Sequence, residues 1–449
     1  MDADSVRSTD SISPWLAGIE APTPPLDHDL DVDAAIIGAG FTGLCTALEL
    51  RAEGLSVGVL EADFAGFGAS GRNAGHLTPT IGKDLPTLTR LFGRERVRAL
   101  VHLADTAIRY VESCIVNHGI DCDYEPVGNV VAAVHPRQHP NLDRAAAAAA
   151  TYGIPGEILE AEQMRQRGLP PAFTRGYLEP HGGVLDPGRY VCGLRRAAVA
   201  AGVQLFEQTP AQRIETTAPA VVHTPRARVR ARHVVLATNA YTPALGVLRS
   251  AVLPMCVQLF QTAPLTAAQR HAVDWRGREG IYTAHEMLES YRLTHEQRIV
   301  GGAKHVRYGF GGRALPDVDA AVAASLESTF RLRFPELRDV QVTHHWGGPI
   351  AFALDFLPLV GRTGEHGNVL HAIGYAGHGI ALASYAGRMI ADLLLERDGP
   401  GAALWSRRRL PLPPEPFRWL IVRGLIGFFG GVDRRVDRAV ERGGTIRGQ

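Results

Sequence analysis

Three glycines and one acid form the first group of residues able to do chemistry. Gly38, Gly40 and Gly43 stand in the order G-A-G-F-T-G, and Glu61 closes the stretch that follows. This spacing suits the pyrophosphate of a dinucleotide. Gly38 permits a sharp exit from a strand, Gly40 lets the backbone approach the phosphates, and Gly43 lets the next helix pack closely. Phe41 and Thr42 share the turn, where first-turn N–H groups and the helix dipole attract negative charge. A carboxylate at Glu61 accepts hydrogen bonds from ribose hydroxyls and repels a 2′-phosphate.

Two further groups extend the pattern. Gly68–Leu77, GASGRNAGHL, directly follows the ribose-binding acid; its glycines and small polar residues suit a backbone that tracks a ligand. Far along the chain, Gly374, Tyr375, Ala376, Gly377, His378, Gly379 and Ile380 form a second glycine-rich junction able to stabilise an anionic group. The pair His344–His345 lacks a third ligand at suitable spacing, so no metal site is expected.

The elements that must position these groups follow from apolar periodicity. Strand, helix and strand run from Val32 to Glu61, a complete βαβ unit. Residues 84–118, Asn141–Tyr152 and Glu162–Arg167 read as helices, and Tyr124–Val134 as a strand. The helix Pro187–Ala201 feeds the strand Val203–Phe206. Ala231–Thr238 reads as a buried parallel strand, entering Thr238 and Asn239. Leu253–Ala263 and Tyr282–Gly302 are mixed-face strands, Ala320–Phe334 is an amphipathic helix, and the strand Asn368–Ile373 leads to the helix Ile380–Leu395. The fold class is α/β: a discontinuous Rossmann-type dinucleotide domain with an interleaved α+β domain. Residues 1–30 form an arm that Trp15 and Leu16 dock. Residues 31–84, 174–250 and 344–410 form the dinucleotide domain, 85–173 and 251–343 the interleaved domain, and 411–449 a C-terminal extension.

The 449 residues suffice for two sizeable cores, with hydrophobic content at 45% and charged content at 21%. Lys+Arg 47 against Asp+Glu 46 argues against a nucleic-acid surface. The five scattered cysteines, Cys45, Cys114, Cys122, Cys192 and Cys256, lack a C-x-x-C pair and suit a reducing cytoplasm. No secretory signal or transmembrane run is read. The apolar stretch 419–429 reads first as packing on the body or an oligomer interface, with peripheral membrane contact the less favoured reading.

Taken in order, GAGFTG, Glu61, GASGRNAGHL, LATNAY at Leu236–Tyr241, LPLVGR at Leu357–Arg362 and GYAGHG at Gly374–Gly379 resemble the D-amino-acid oxidase-like family of FAD-dependent oxidoreductases. The gamma-glutamylputrescine oxidase-like branch is the nearest likeness, over roughly residues 30–415. The resemblance implies FAD at a domain interface, with Gly38, Gly40, Gly43 and Glu61 on its ADP half. It places Ala69, Ser70, Arg72, Asn73 and Ala74 on the approach to the flavin, and Thr238 and Asn239 near the cofactor. Gly377, His378, Gly379 and Ile380 fall beside the pyrimidine end, where positive or N–H character stabilises reduced flavin.

The implied reaction takes hydride from the carbon beside a neutral amine to flavin N5. Water then hydrolyses the imine, and electrons pass to O2 or another acceptor. The substrate is a small amine or amino acid. On its side, Tyr291, Arg292 and Lys304 are expected: Arg292 to clamp a carboxylate or form an ion pair, and Lys304 to assist oxygen reduction, as a lysine does in the related sarcosine oxidases. His76 or His378 is a candidate for a covalent flavin link, with a plain polar contact favoured. Trp346 either walls the pocket or belongs to the core. The rivals are a nicotinamide-dependent dehydrogenase built on the same βαβ unit and a non-catalytic flavoprotein.

Overall fold

The computed structural model describes residues 12–405 and 410–446. Two eight-stranded sheets carry the architecture, and each nucleates its own core. In the first, the path runs Leu359–Thr363, Val369–Ile373, Arg228–Leu236, Leu30–Ile37, Val57–Leu60 and Gln204–Phe206. All neighbours on it are parallel except Leu359–Thr363 against Val369–Ile373. The inner strands are apolar because both faces are covered. Ile36 and Val235 pack with the helices Phe41–Ala52 and Gly379–Leu394 on one side, while Ile37, Val234 and Leu236 join a separate cluster on the other.

The second sheet runs Val342–Phe352, Leu253–Thr262, Ile299–Arg307, Glu289–Leu293, Gly280–Thr283, Asn129–Ala133, Arg175–Glu179 and Glu157–Leu159. It is antiparallel except where Gly280–Thr283 meets Asn129–Ala133. The helix Ala320–Arg333 seals one face through Leu326 and Phe330, which pack with Phe260, Ile281 and Tyr291.

Several boundaries differ from those read in the sequence. The helix expected over 84–118 breaks into Leu85–Phe92 and Arg94–Asn117, because Gly93 takes φ 80°, outside helical space. The strand expected from Tyr124 begins at Asn129, and Glu125 makes only an isolated bridge to Val184. The expected domain division shifts as well. Leu88, Val97, Leu100 and Leu103 lie in one core with Leu44 and Met389, so the helices of 85–117 pack with the dinucleotide sheet. Arg175–Glu179 and the part of Val342–Phe352 from residue 344 onward, expected on the dinucleotide side, pair within the second sheet.

The described part of the arm docks as expected. Leu16 is buried in the main core, and Trp15 donates its indole N–H to the Asn73 carbonyl at 3.0 Å. At the other end, Phe417–Ile446 is a single helix, and no helix among the described residues is long and apolar enough to cross a membrane.

Candidate active site

Parallel pairing brings the carboxyl ends of three strands into one row. Ile37 stands opposite Leu236, and Leu236 opposite His371. The first corner leaves this row at Gly38, whose N–H donates to the Leu60 carbonyl at 2.8 Å. A Cβ on Gly43 would lie 1.8 Å from the Gly38 oxygen, so only glycine lets the helix Phe41–Ala52 start here. Gly40 caps that helix with no side-chain bond; the Phe41 N–H instead donates to Ser70 Oγ at 3.0 Å. Glu61 accepts from Ala39 N–H at 2.8 Å and Asp63 N–H at 3.1 Å, and burial pushes its carboxyl upward. Two such bonds leave lone pairs for ribose hydroxyls.

The second corner meets the first directly. Tyr375 Oη and Thr42 Oγ1 share a hydrogen bond of 2.7 Å, and Gly374 N–H donates to Asn239 Oδ1 at 2.9 Å. Thr238 Oγ1 bonds Thr242 Oγ1 at 2.8 Å beside the same junction. The corner also touches the second sheet, where Ala376 N–H donates to the Ala351 carbonyl at 2.9 Å. It therefore stands between the two sheets. The helix Gly379–Leu394 begins at His378 without a side-chain cap, and a Cβ on Gly379 would meet nothing within 4 Å. His378 Nδ1 is buried without a hydrogen-bond partner. Burial, then the nearby Lys83 charge, hold this imidazole down to about 4, so it is neutral at pH 7. The positive character expected here therefore comes from helix N–H groups and Lys83, not from an imidazolium.

The loop after Glu61 ties both corners to the second sheet. Arg72 donates to the Phe67 carbonyl at 2.7 Å and the Gly347 carbonyl at 2.9 Å, and pairs with Asp317 at 2.5 Å. Asn73 folds its amide back on the Ala69 and Ser70 carbonyls and accepts from Gly75 N–H. Ala74 packs beside Trp346 and Val300. His76 is buried, 3.0 Å from Asn129 Oδ1, with its ring 4.5 Å from that of Tyr282. Burial pulls its pKa to about 3, and its Nε2 lacks a partner.

A family model described as FAD dependent oxidoreductase matches residues 33–393. The chain belongs to this family. Gamma-glutamylputrescine oxidoreductase of Escherichia coli (strain K12) is 31% identical over 380 residues, covering 83% of this chain and 86% of that one. Among solved structures, glycine oxidase from Geobacillus kaustophilus superposes with a TM-score of 0.72 at 21% identity, over 85% of this chain and 100% of that one. L-proline dehydrogenase from P. horikoshii gives 0.70 at 19%, over 82% and 94%. The last two show the shared fold. With FAD as the family's cofactor, the nicotinamide rival is set aside.

The residues of this FAD-dependent oxidoreductase fit that cofactor. A glycine corner with a free-sided acid suits the ADP half, and an uncapped helix start with open space and an unpartnered imidazole nitrogen suits the far end. Three residues expected on the substrate side lie elsewhere. Tyr291 pairs across from Ile281, on the face sealed by Phe330 and Phe334, and its hydroxyl donates to Glu289 at 3.1 Å. Lys304 Nζ is held by Glu289 at 2.7 Å and Asp437 at 2.9 Å, within the charge cluster that meets the C-terminal helix. Arg292 is 1% exposed; its Nη1 donates to the Gly75 and Leu185 carbonyls, its guanidinium lies over the Trp15 ring, and its Nε is buried without a partner. Arg72 and Asn73 likewise use their side chains to hold the loop. Trp346 is fully buried and donates to the Arg72 carbonyl, so it belongs to the core.

Three further polar side chains act on this region. Tyr282 pairs across from Ser290, one position out of register with Tyr291, and so turns toward His76. Glu179 acts on Tyr282, and burial pushes its carboxyl up to about 7. Lys83 lies 5.1 Å from the Phe356 ring and 5.5 Å from that of Phe429, and its charge acts on His378. None of the three carries a motif. Strand register could have singled out Tyr282, but nothing local marked Lys83 or Glu179.

Proposed function

We propose that this oxidoreductase oxidises the C–N bond of an amine or amino acid, with gamma-glutamylated amines as the leading substrate class. The observation that carries this reading is the direct bonding of the two glycine corners, Tyr375 to Thr42 and Gly374 to Asn239, which makes them one cradle. The substrate class is supported by the likeness to the gamma-glutamylputrescine enzyme. Bound FAD supplies the acceptor for the hydride leaving the carbon beside the nitrogen.

The chain's own residues do the rest. Gly38, Gly40, Phe41, Thr42, Gly43 and Glu61 hold the ADP group; Ala69, Ser70, Ala74 and His76 shape the loop beside it, and Thr238, Asn239 and Gly374 brace the junction. Gly377, His378, Gly379 and Ile380 present N–H groups and dipole to the electron-rich end. Glu179, poised about 7, takes the proton that a substrate ammonium must lose. Lys83, flanked by two aromatic rings, attracts a substrate carboxylate. O2 or another small acceptor receives the electrons, and nucleic acid plays no part. The protein works in the cytoplasm, a reading supported by its five free cysteines.

The test is anaerobic mixing of the purified yellow protein with a panel of amines and amino acids that includes gamma-glutamyl amines. Bleaching of the visible flavin band by one member supports the proposal. A panel that leaves the colour unchanged, under conditions where dithionite bleaches it, contradicts it.

A further inference from the structure

The C-terminal helix has a pinned inner face and an open outer one. On the inner face, Val422 packs with Leu253, Met255 and Leu412, and Val436 joins the core of the second sheet. Asp433 accepts from the N–H groups of Glu286 at 3.0 Å and Met287 at 2.9 Å, and Asp437 pairs with Lys304 and Arg333. These bonds fix the rotation of the helix about its axis. The outer face then shows Phe417 (62% exposed), Leu420 (55%), Ile421 (50%), Leu425 (49%) and Phe428 (66%), a stripe at helical spacing. Phe310, 56% exposed, extends it through an edge contact with Trp419. Further along, the outer surface changes to the exposed arginines Arg434, Arg435, Arg438 and Arg442, with Arg423 between the two regions.

We propose that this helix lies on an anionic membrane surface. Its apolar half inserts at the headgroup boundary, and its basic half rests on acidic lipid headgroups. An apolar stripe joined to clustered arginine is the pattern that binds such a surface in the plane of the interface. A two-fold second copy fits less well. It would set the same face against itself, and the four arginines would meet other arginines or the apolar stripe, with Glu441 the one exposed carboxylate among the described residues of the helix to receive them. The two aspartates of the helix point inward and are already engaged. Because Phe429 on the same helix lies against Lys83, docking brings the membrane close to the rim of the candidate site.

Co-sedimentation of the full-length flavin-loaded protein with phosphatidylcholine vesicles, with and without phosphatidylglycerol, tests the proposal. Binding is expected on phosphatidylglycerol vesicles and is weakened by salt. The triple variant Leu420→Ser, Ile421→Ser, Phe428→Ser should lose it, with its flavin spectrum intact. Arg434→Glu with Arg435→Glu and Arg438→Glu should weaken partition roughly tenfold or more. The proposal is overturned if the wild type stays in the supernatant, binds both vesicle types equally, or binds no better than the serine variant. It is also overturned if light scattering shows a dimer that the serine substitutions convert to monomer.

Discussion

His76 and His378 are both kept neutral by burial, and each leaves one ring nitrogen without a partner. This fixes the sign of a pH effect. In the unfolded chain both imidazoles take a proton near the ordinary value of 6.5, while the folded chain resists until about 4 for His378 and about 3 for His76. The unfolded state therefore binds more protons in that window, so stability is complete above about pH 6.5 and drains as pH falls. Thermal unfolding followed from pH 7.5 to 4 should show this loss, and His76→Gln should flatten it; a slope unchanged by the substitution would count against the assignment. At this scale the sequence was only partly readable. The glycines and Glu61 announce themselves because backbone geometry and ribose recognition demand those residue types. The substrate side does not, because side chains alternate along a strand and a one-residue shift in register moves every one to the other face. Tyr291 and Tyr282 differ in just this way, and only pairing with Ile281 and Ser290 decides between them.

At the scale of elements, the site depends on two helices that approach each other as closely as backbone allows. A Cβ on Gly387 would fall 2.5 Å from the backbone of Cys45 and Thr46, so the helix Gly379–Leu394 rests directly on Phe41–Ala52. Gly387→Ala should force the two apart, costing about 1–3 kcal/mol of stability and loosening FAD retention. Chemical denaturation with fluorescence of released flavin checks both; an unperturbed midpoint would show that the contact relaxes freely. These helices and their strands were legible because their apolar runs are long and end on glycine corners. The break at Gly93 was hidden within a continuous helical pattern, and the allegiance of Leu85–Phe92 and Arg94–Asn117 depends on long-range packing, which no local period encodes.

Across the whole molecule, a buried charge cluster joins the second sheet, the helix Ala320–Arg333 and the C-terminal helix. Glu289, 1% exposed, pairs with Arg333 through both oxygens and with Lys304, while Asp437 completes the set. Glu289→Ala would leave Arg333 and Lys304 to share Asp437 alone, at a cost of about 3–5 kcal/mol, and should free the C-terminal helix to limited proteolysis. A variant as stable and protease-resistant as the wild type would show that the cluster is incidental. No sequence motif forecast this cluster, since its members are brought together only by the tertiary fold. The fold class, by contrast, follows from the order of corners and strands, and the match over residues 33–393 agrees with it.

The most direct measurement uses Gly379, where an added Cβ meets no protein atom within 4 Å. Gly379→Leu should leave the flavin-free protein folded with an unchanged melting temperature, yet weaken FAD binding by tenfold or more on the order expected when a ligand's space is filled. Titration of both apoproteins with FAD reads this out. If the leucine variant binds FAD as tightly as the wild type, the second corner does not hold the flavin, and the single cradle built from Gly38 and Gly377 is contradicted.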